Sequence, residues 1–305
     1  MSKYLNPTRS FSMIKVYRDF DQSQLDIEYN ARATVPDYTI FGRQNDAFSK
    51  EARETLECLL DVSYGDHPDE LIDVFPAGQK APVFLYFHGG YWRANSQKQA
   101  AAMAPNFVKH GIAVVPVNYS LAPSASLDEI TRQSRAAVAW IWKNGAETFG
   151  ADPDRIFIGG TSAGGHITGM VLAGGWHDRF GVPENCIKGA LALNGLYDLE
   201  PVRLSEPNEW AQLDEPAARR NSPIHHLPEQ GCPLIVSYGG SETSEFKRQS
   251  NIYAAAWRNH GWPCSEFEVS ECNHFNIPQQ LRDPTTPLCR EVFQMIGLER
   301  AENLS

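Results

Sequence analysis

Ile156-Phe157-Ile158-Gly159-Gly160-Thr161-Ser162-Ala163-Gly164-Gly165-His166 is the stretch whose reading decides the fold. Its opening residues are apolar and β-branched or aromatic, the pattern of a strand buried on both faces. A helical pattern follows the serine. Between them Gly160-Thr161-Ser162-Ala163-Gly164 reads G-x-S-x-G, a tight turn that lifts a serine hydroxyl out at the junction of strand and helix. Gly160 and Gly164 lack Cβ atoms, so strand and helix can approach closely around that turn. The helix N-terminus favours negative charge developing beside the serine. Ser162 is therefore the candidate nucleophile.

Outward from this turn, short apolar runs alternate with longer amphipathic stretches. Val83–Phe87, Ile112–Val117, Ile156–Ile158, Ala190–Leu193 and Leu234–Tyr238 read as buried strands, and Phe267–Val269 as a weaker sixth. Helical patterns cover roughly Gln97–His110, Leu127–Phe149, the residues after Ser162, and about Ser244–His260. The alternation predicts an α/β fold: a mainly parallel central sheet with helices on both faces. No repeat or linker divides the chain, so residues 1–305 are read as a single domain. Two segments stand outside the alternation. Residues 1 to about 60 hold a polar helix-like piece near Ala47–Leu60, and Asp198–Leu227 is rich in Pro and Glu. In open α/β sheets ligands bind beyond the C-terminal strand ends, where such insertions form a lid or pocket wall.

Composition bounds the function. The formal net charge is −10, from 27 Lys and Arg against 37 Asp and Glu, which disfavours nucleic acid and anionic membrane surfaces as partners. A small-molecule substrate is expected, and a homodimer is left open. No apolar run approaches the ~20 residues that span a bilayer. The N-terminal MSKYLNPTRSFSMIKVYRDF lacks an apolar signal core. The six cysteines are scattered, without a C-x-x-C pair; reduced thiols and a cytoplasmic location are the expectation.

A serine hydroxyl needs a base, usually a histidine oriented by a carboxylate. On a sheet of this kind the chain order is serine, acid, histidine. His274, in Glu271-Cys272-Asn273-His274-Phe275, is the one histidine downstream of His260 and is the expected base. His166, inside the helix after the turn, would face away from the hydroxyl, and His225-His226 lacks neighbours for metal binding. After the Leu234–Tyr238 strand come Gly239-Gly240-Ser241-Glu242-Thr243-Ser244-Glu245. Glu242 sits in the turn and is the chosen acid. Glu245, in the first turn of the next helix, is second choice because capping explains it. The run Val83–Phe87 leads into His88-Gly89-Gly90-Tyr91-Trp92, a glycine loop that can turn main-chain amides inward. Such a loop supplies an oxyanion site, from Gly89, Gly90 or Tyr91 together with the amide of Ala163. His88 reads as a loop brace. Tyr91, Trp92, Trp176 and Tyr197 are the candidate aromatics of a substrate pocket.

With these residues placed, the chain resembles the arylformamidase (kynurenine formamidase) branch of the esterase/lipase α/β-hydrolases. The resemblance rests on Glu28-Tyr29-Asn30-Ala31-Arg32, Tyr64-Gly65-Asp66-His67-Pro68, the HGG-x-W loop and the Ser162 turn. It rests further on Asn194-Gly195-Leu196-Tyr197-Asp198-Leu199, Ser244-Glu245-Phe246-Lys247-Arg248-Gln249 and Asn273-His274-Phe275. It implies the α/β-hydrolase fold with a small lid, a Ser162–Glu242–His274 triad and an acyl-enzyme route needing neither metal nor organic cofactor. The implied substrates are N-formyl anilides such as N-formylkynurenine; carboxylesterase action on short-chain or aryl esters is the alternative. One departure stands out: the family usually has Asp at the acid position, and here it is Glu242.

Overall fold

The computed structural model describes residues 14–298. The N-terminal stretch read for a signal core, and with it the start of the first flanking segment, lies largely outside the described residues, as do residues 299–305.

The strands are β1 (Leu59–Ser63), β2 (Leu71–Val74), β3 (Ala81–Phe87), β4 (Ala113–Val117), β5 (Ala151–Thr161), β6 (Ile187–Leu193), β7 (Leu234–Gly239) and β8 (Cys264–Val269). They form one eight-stranded sheet in the order β1-β2-β4-β3-β5-β6-β7-β8. From β4 onward every neighbouring pair is parallel, while β1–β2 and β2–β4 are antiparallel. The chain thus has the mostly parallel sheet of an α/β-hydrolase fold. All seven residues of β3 and all five of β4 are buried, which explains their unbroken apolar runs.

Alternate residues of β3 feed two separate cores. Val83, Leu85 and Phe87 face a layer that includes Phe246, Tyr253 and Trp257. Phe84 and Tyr86 face another that includes Phe107, Leu288 and Val292. Helices therefore cover both faces. They are α1 (Gln22–Glu28), α2 (Thr39–Thr55), α3 (Ala104–Lys109), α4 (Leu127–Phe149), α5 (Ala163–Leu172), α6 (His177–Phe180), α7 (Glu200–Arg203), α8 (Asn208–Ala211), α9 (Glu215–Arg220), α10 (Ser244–Asn259) and α11 (Pro287–Ile296). None is long and apolar enough to cross a membrane. The six cysteines are all free thiols.

Three expectations change. The helix read over Gln97–His110 splits into a 3-10 turn, Gln97–Gln99, and α3. Pro105 explains the break, since it lacks an N–H and its ring collides with a carbonyl one turn back. The piece read near Ala47–Leu60 is α2, which begins earlier and gives way to β1. The antiparallel hairpin of β1 and β2 lies outside the expected strands. Asp73 interrupts the apolar run of β2, and it is fully buried because Lys98 holds its carboxylate at 2.9 Å. The segment Asp198–Leu227 contains no strand and carries α7, α8, α9 and a 3-10 turn.

Candidate active site

The register of the parallel strands brings distant residues together at their C-terminal ends. Phe87 pairs with Gly160, Thr161 with Leu193, Leu193 with Ser237 and Gly239 with Val269. The residues just past these ends are His88–Tyr91, Ser162, Asn194, Glu242 and His274, all on one edge of the sheet, the edge where ligands bind in open α/β folds.

Ser162 adopts φ 56° and ψ −119°, a conformation that costs a non-glycine residue about 1–3 kcal/mol. The close packing around it is visible in its neighbours. A Cβ on Gly164 would fall on the carbonyl of Phe87, and one on Gly160 on the carbonyl of Gly164. Strand, turn and helix touch through main chain alone.

His274 Nε2 lies 3.0 Å from Ser162 Oγ, and His274 Nδ1 lies 2.8 Å from Glu242 Oε2. An ionised carboxylate only accepts. Nδ1 therefore carries the proton and donates it, which leaves the lone pair of Nε2 facing the serine hydroxyl. All three side chains are buried. The arrangement can move a proton from Ser162 to His274 while the carboxylate holds the ring in one tautomer. Glu245 makes different contacts. It accepts from Tyr29 Oη at 2.9 Å and pairs with Arg248 at 2.7 Å, tying α1 to α10.

Asn194 joins the site although it is not among the catalytic residues expected from the sequence. Its side-chain oxygen accepts from the Ser162 amide at 2.9 Å and from Thr161 Oγ1 at 2.8 Å. Its nitrogen donates to Glu242 Oε1 at 2.9 Å and to the His274 carbonyl at 3.0 Å. Two acceptor sites and two donor hydrogens are thus all used. Hydrogen bonds run in a closed ring from the Ser162 amide through Asn194, Glu242 and His274 back to the Ser162 hydroxyl. Asn194 is fully buried and holds φ 35°, an uncommon value for a side-chain-bearing residue. The signal available in the sequence was its position, immediately past an apolar strand, as Ser162 is past β5.

The loop after β3 has its carbonyls pinned. Tyr119 Oη donates to the His88 carbonyl at 2.6 Å. His88 Nδ1 and Asn95 Nδ2 donate to the Gly89 carbonyl at 2.9 and 3.0 Å. In a trans peptide the following N–H points opposite to the carbonyl, so these bonds fix the directions of the Gly89 and Gly90 amides. Among the described residues the amides of Gly89, Gly90, Tyr91 and Ala163 find no main-chain acceptor. Tyr91 and Trp92 hold φ of 50° and 59°. His88 stacks on Tyr119 with ring centroids 4.1 Å apart, and burial lowers its pKa to about 4. It braces the loop as a neutral ring.

The alpha/beta hydrolase fold family matches residues 84–275. Over 257 residues the chain is 33% identical to kynurenine formamidase of Danio rerio, covering 82% of this chain and 85% of that protein. This is an α/β-hydrolase of the arylformamidase/esterase branch. It is also 26% identical to Esterase LipQ of Mycobacterium tuberculosis over 246 residues, 73% of this chain and 58% of that protein. A solved structure from Silicibacter sp. TM1040 superposes with TM-score 0.76 at 28% identity, covering 88% of this chain and 98% of that one.

In this hydrolase a cavity of about 760 Å³ opens above Ser162 and His274. Its walls come from the loop after β3, from residues 29–46 and from Glu206, Pro207 and Trp210, so both flanking segments contribute. Of the four aromatics expected there, only Tyr91 lines it. The other three are corrected. Trp92 is fully buried, and its Nε1 donates to His166 Nδ1 at 3.1 Å. The indole meets the His166 ring edge-on with centroids 5.0 Å apart, inside the core. Trp176 donates to the Val171 carbonyl at 2.9 Å beyond the far end of α5. Tyr197 stacks on Tyr253 with centroids 4.2 Å apart. His166 faces away from the hydroxyl. Its Nε2 donates to the Asn221 carbonyl at 2.7 Å, and burial lowers its pKa to about 4.

Proposed function

We propose that this hydrolase cleaves N-formyl anilides, of which N-formylkynurenine is the type, through a Ser162 acyl-enzyme. The observation that carries the chemistry is the 3.0 Å approach of His274 Nε2 to Ser162 Oγ, with Glu242 behind the ring. The substrate class is supported by the likeness to kynurenine formamidase over most of the chain.

His274 takes the Ser162 proton as Oγ bonds to the formyl carbon. Negative charge moves to the carbonyl oxygen, where amides of Gly89, Gly90 or Tyr91 and of Ala163 receive it. Each such donor is worth ~3–4 kcal/mol of barrier. His274 then gives the proton to the departing nitrogen as the C–N bond breaks. Water, deprotonated by the same ring, releases formate and restores the hydroxyl. A formyl group is so small that selection must come from the leaving group, and a cavity of about 760 Å³ is of the size that encloses such a molecule.

Esterases among the relatives favour a second reading, a carboxylesterase using the same residues. The test is kcat/KM for N-formylkynurenine against p-nitrophenyl acetate and butyrate. A formamide preference of ~100-fold, on the order of 3 kcal/mol in transition-state binding, supports the formamidase. Fast ester turnover with negligible formamide cleavage sinks it and leaves the esterase.

A further inference from the structure

Two arginines stand at the rim of the cavity above Ser162, each laid on an aromatic ring. Arg93 lies over Trp210 with its guanidinium carbon 3.4 Å from the ring centroid. Arg32 lies over Tyr38 at 4.7 Å. Among the described residues neither forms an ion pair, whereas the third arginine of the wall, Arg43, is matched by Asp37 at 3.7 Å. Two acids, Asp46 and Glu206, share the wall but lie beyond ion-pair distance of Arg93 and Arg32. In a chain of formal net charge −10, unmatched cations beside the reacting serine need a reason.

The platform under Arg93 is fixed. Trp210 Nε1 donates to the Tyr91 carbonyl at 2.9 Å, and the Tyr91 ring meets the indole edge-on at 5.7 Å. Tyr91 Oη in turn donates to the Tyr29 carbonyl at 2.6 Å. The Arg93 amide closes a turn onto the Gly90 carbonyl at 3.1 Å. The charge is thus carried on the same loop whose amides face the reacting carbonyl, at a set offset from Ser162. A guanidinium stacked on a ring keeps its in-plane N–H groups free, in a fork that matches a carboxylate. The aromatic face has already restricted the side chain, so less freedom is lost on binding.

We infer that this rim is an anion subsite, in which Arg93, with Arg32 beside it, receives a carboxylate carried by the leaving group. The enzyme then selects carboxylate-bearing anilides or esters over neutral ones. The inference rests on the reading of Ser162 as the reacting group.

The experiment compares kcat/KM for N-formylkynurenine and its α-carboxamide, which differ in one charge. The wild type should prefer the carboxylate by ~10-fold or more, the scale of a charge-assisted hydrogen bond, and added salt should compress the ratio. Arg93→Gln should bring the ratio to about 1–2, chiefly through KM, and Arg93→Lys should restore part of it. A wild-type ratio near one overturns the subsite. So does an Arg93→Gln ratio equal to the wild type's, even with both rates lowered. If no formamide is turned over, kynurenine and its carboxamide are compared as inhibitors of p-nitrophenyl acetate hydrolysis. Selective inhibition by the carboxylate, lost in Arg93→Gln, keeps the subsite while the formamidase reading falls. Equal inhibition removes the subsite.

Discussion

The floor and the rim of the cavity are built by opposite rules. On the floor, Ser162, Asn194, Glu242 and His274 form a closed ring in which both polar atoms of the Asn194 side chain are matched. At the rim, Arg93 and Arg32 lie on aromatic rings with their charges unmatched. The difference separates two tasks. A buried polar group without a partner is costly, so the floor admits one arrangement and holds its protons in place. A rim open to water tolerates unmatched cations and leaves them available to a ligand.

The comparison can be broken from the floor first. Ser162→Ala should lower kcat by up to ~10⁶-fold, the scale for removing a serine nucleophile, with a melting temperature near the wild type's, because alanine carries a Cβ as serine does and holds the same positive φ. Glu242→Gln should cost ~10⁴-fold in kcat. Asn194 donates to Oε1, so the carbonyl oxygen of a glutamine must face Asn194 and its NH₂ must face His274 Nδ1. That reverses the tautomer and aims an Nε2 proton at Ser162. Single-turnover kinetics on the folded variant checks this.

Acid stability comes next. Burial holds His88 and His166 neutral, with pKa values lowered to about 4 from ~6.5 in the unfolded chain. Below pH ~6.5 the unfolded state binds more protons. Each histidine therefore contributes stability that is full above pH ~6.5 and is lost as pH falls towards about 4. The loss is at most on the order of 3 kcal/mol per ring. Urea unfolding at pH 7.5 and pH 4.5 measures it. His166→Asn should flatten the slope, and an unchanged slope would show that these rings are not the source.

Asn194→Ala should lower kcat ~10–100-fold, the scale found when a partner orienting a reactive group is lost, with little change in KM. Coupling to Glu242 is the sharper readout. In a double-mutant cycle the Asn194→Ala and Glu242→Gln losses should fall well short of additive. Full additivity would mean that Asn194 merely fills space. The rim carries the smallest effect, the ~10-fold charge preference expected of Arg93.

Much of the floor is legible in the chain because it depends on local punctuation. The turn from β5 into α5 is written by glycines, the only residues its main-chain contacts admit. The helix Leu127–Phe149 is bounded by the Ser126 cap and by Gly150 at a left-handed φ. Neither needs knowledge of distant residues. Asn194 is different, since its role arises from the pairing of β5 with β6, a contact that no local pattern announces. The same holds for Trp92, Trp176 and Tyr197. An aromatic side chain is equally at home in a core or a pocket wall, and only packing decides which way it faces. The hairpin of β1 and β2 was hidden by Asp73, a buried charge that makes sense only once Lys98 is beside it.

The central claim is that Ser162 reacts, and the most direct test is to label the protein with a fluorophosphonate and locate the adduct by peptide mass spectrometry. We expect one adduct, on Ser162, formed quickly in the wild type, slowly in His274→Ala and not at all in Ser162→Ala. No adduct on folded wild-type protein, or an adduct on another residue that persists in Ser162→Ala, would contradict the site described here.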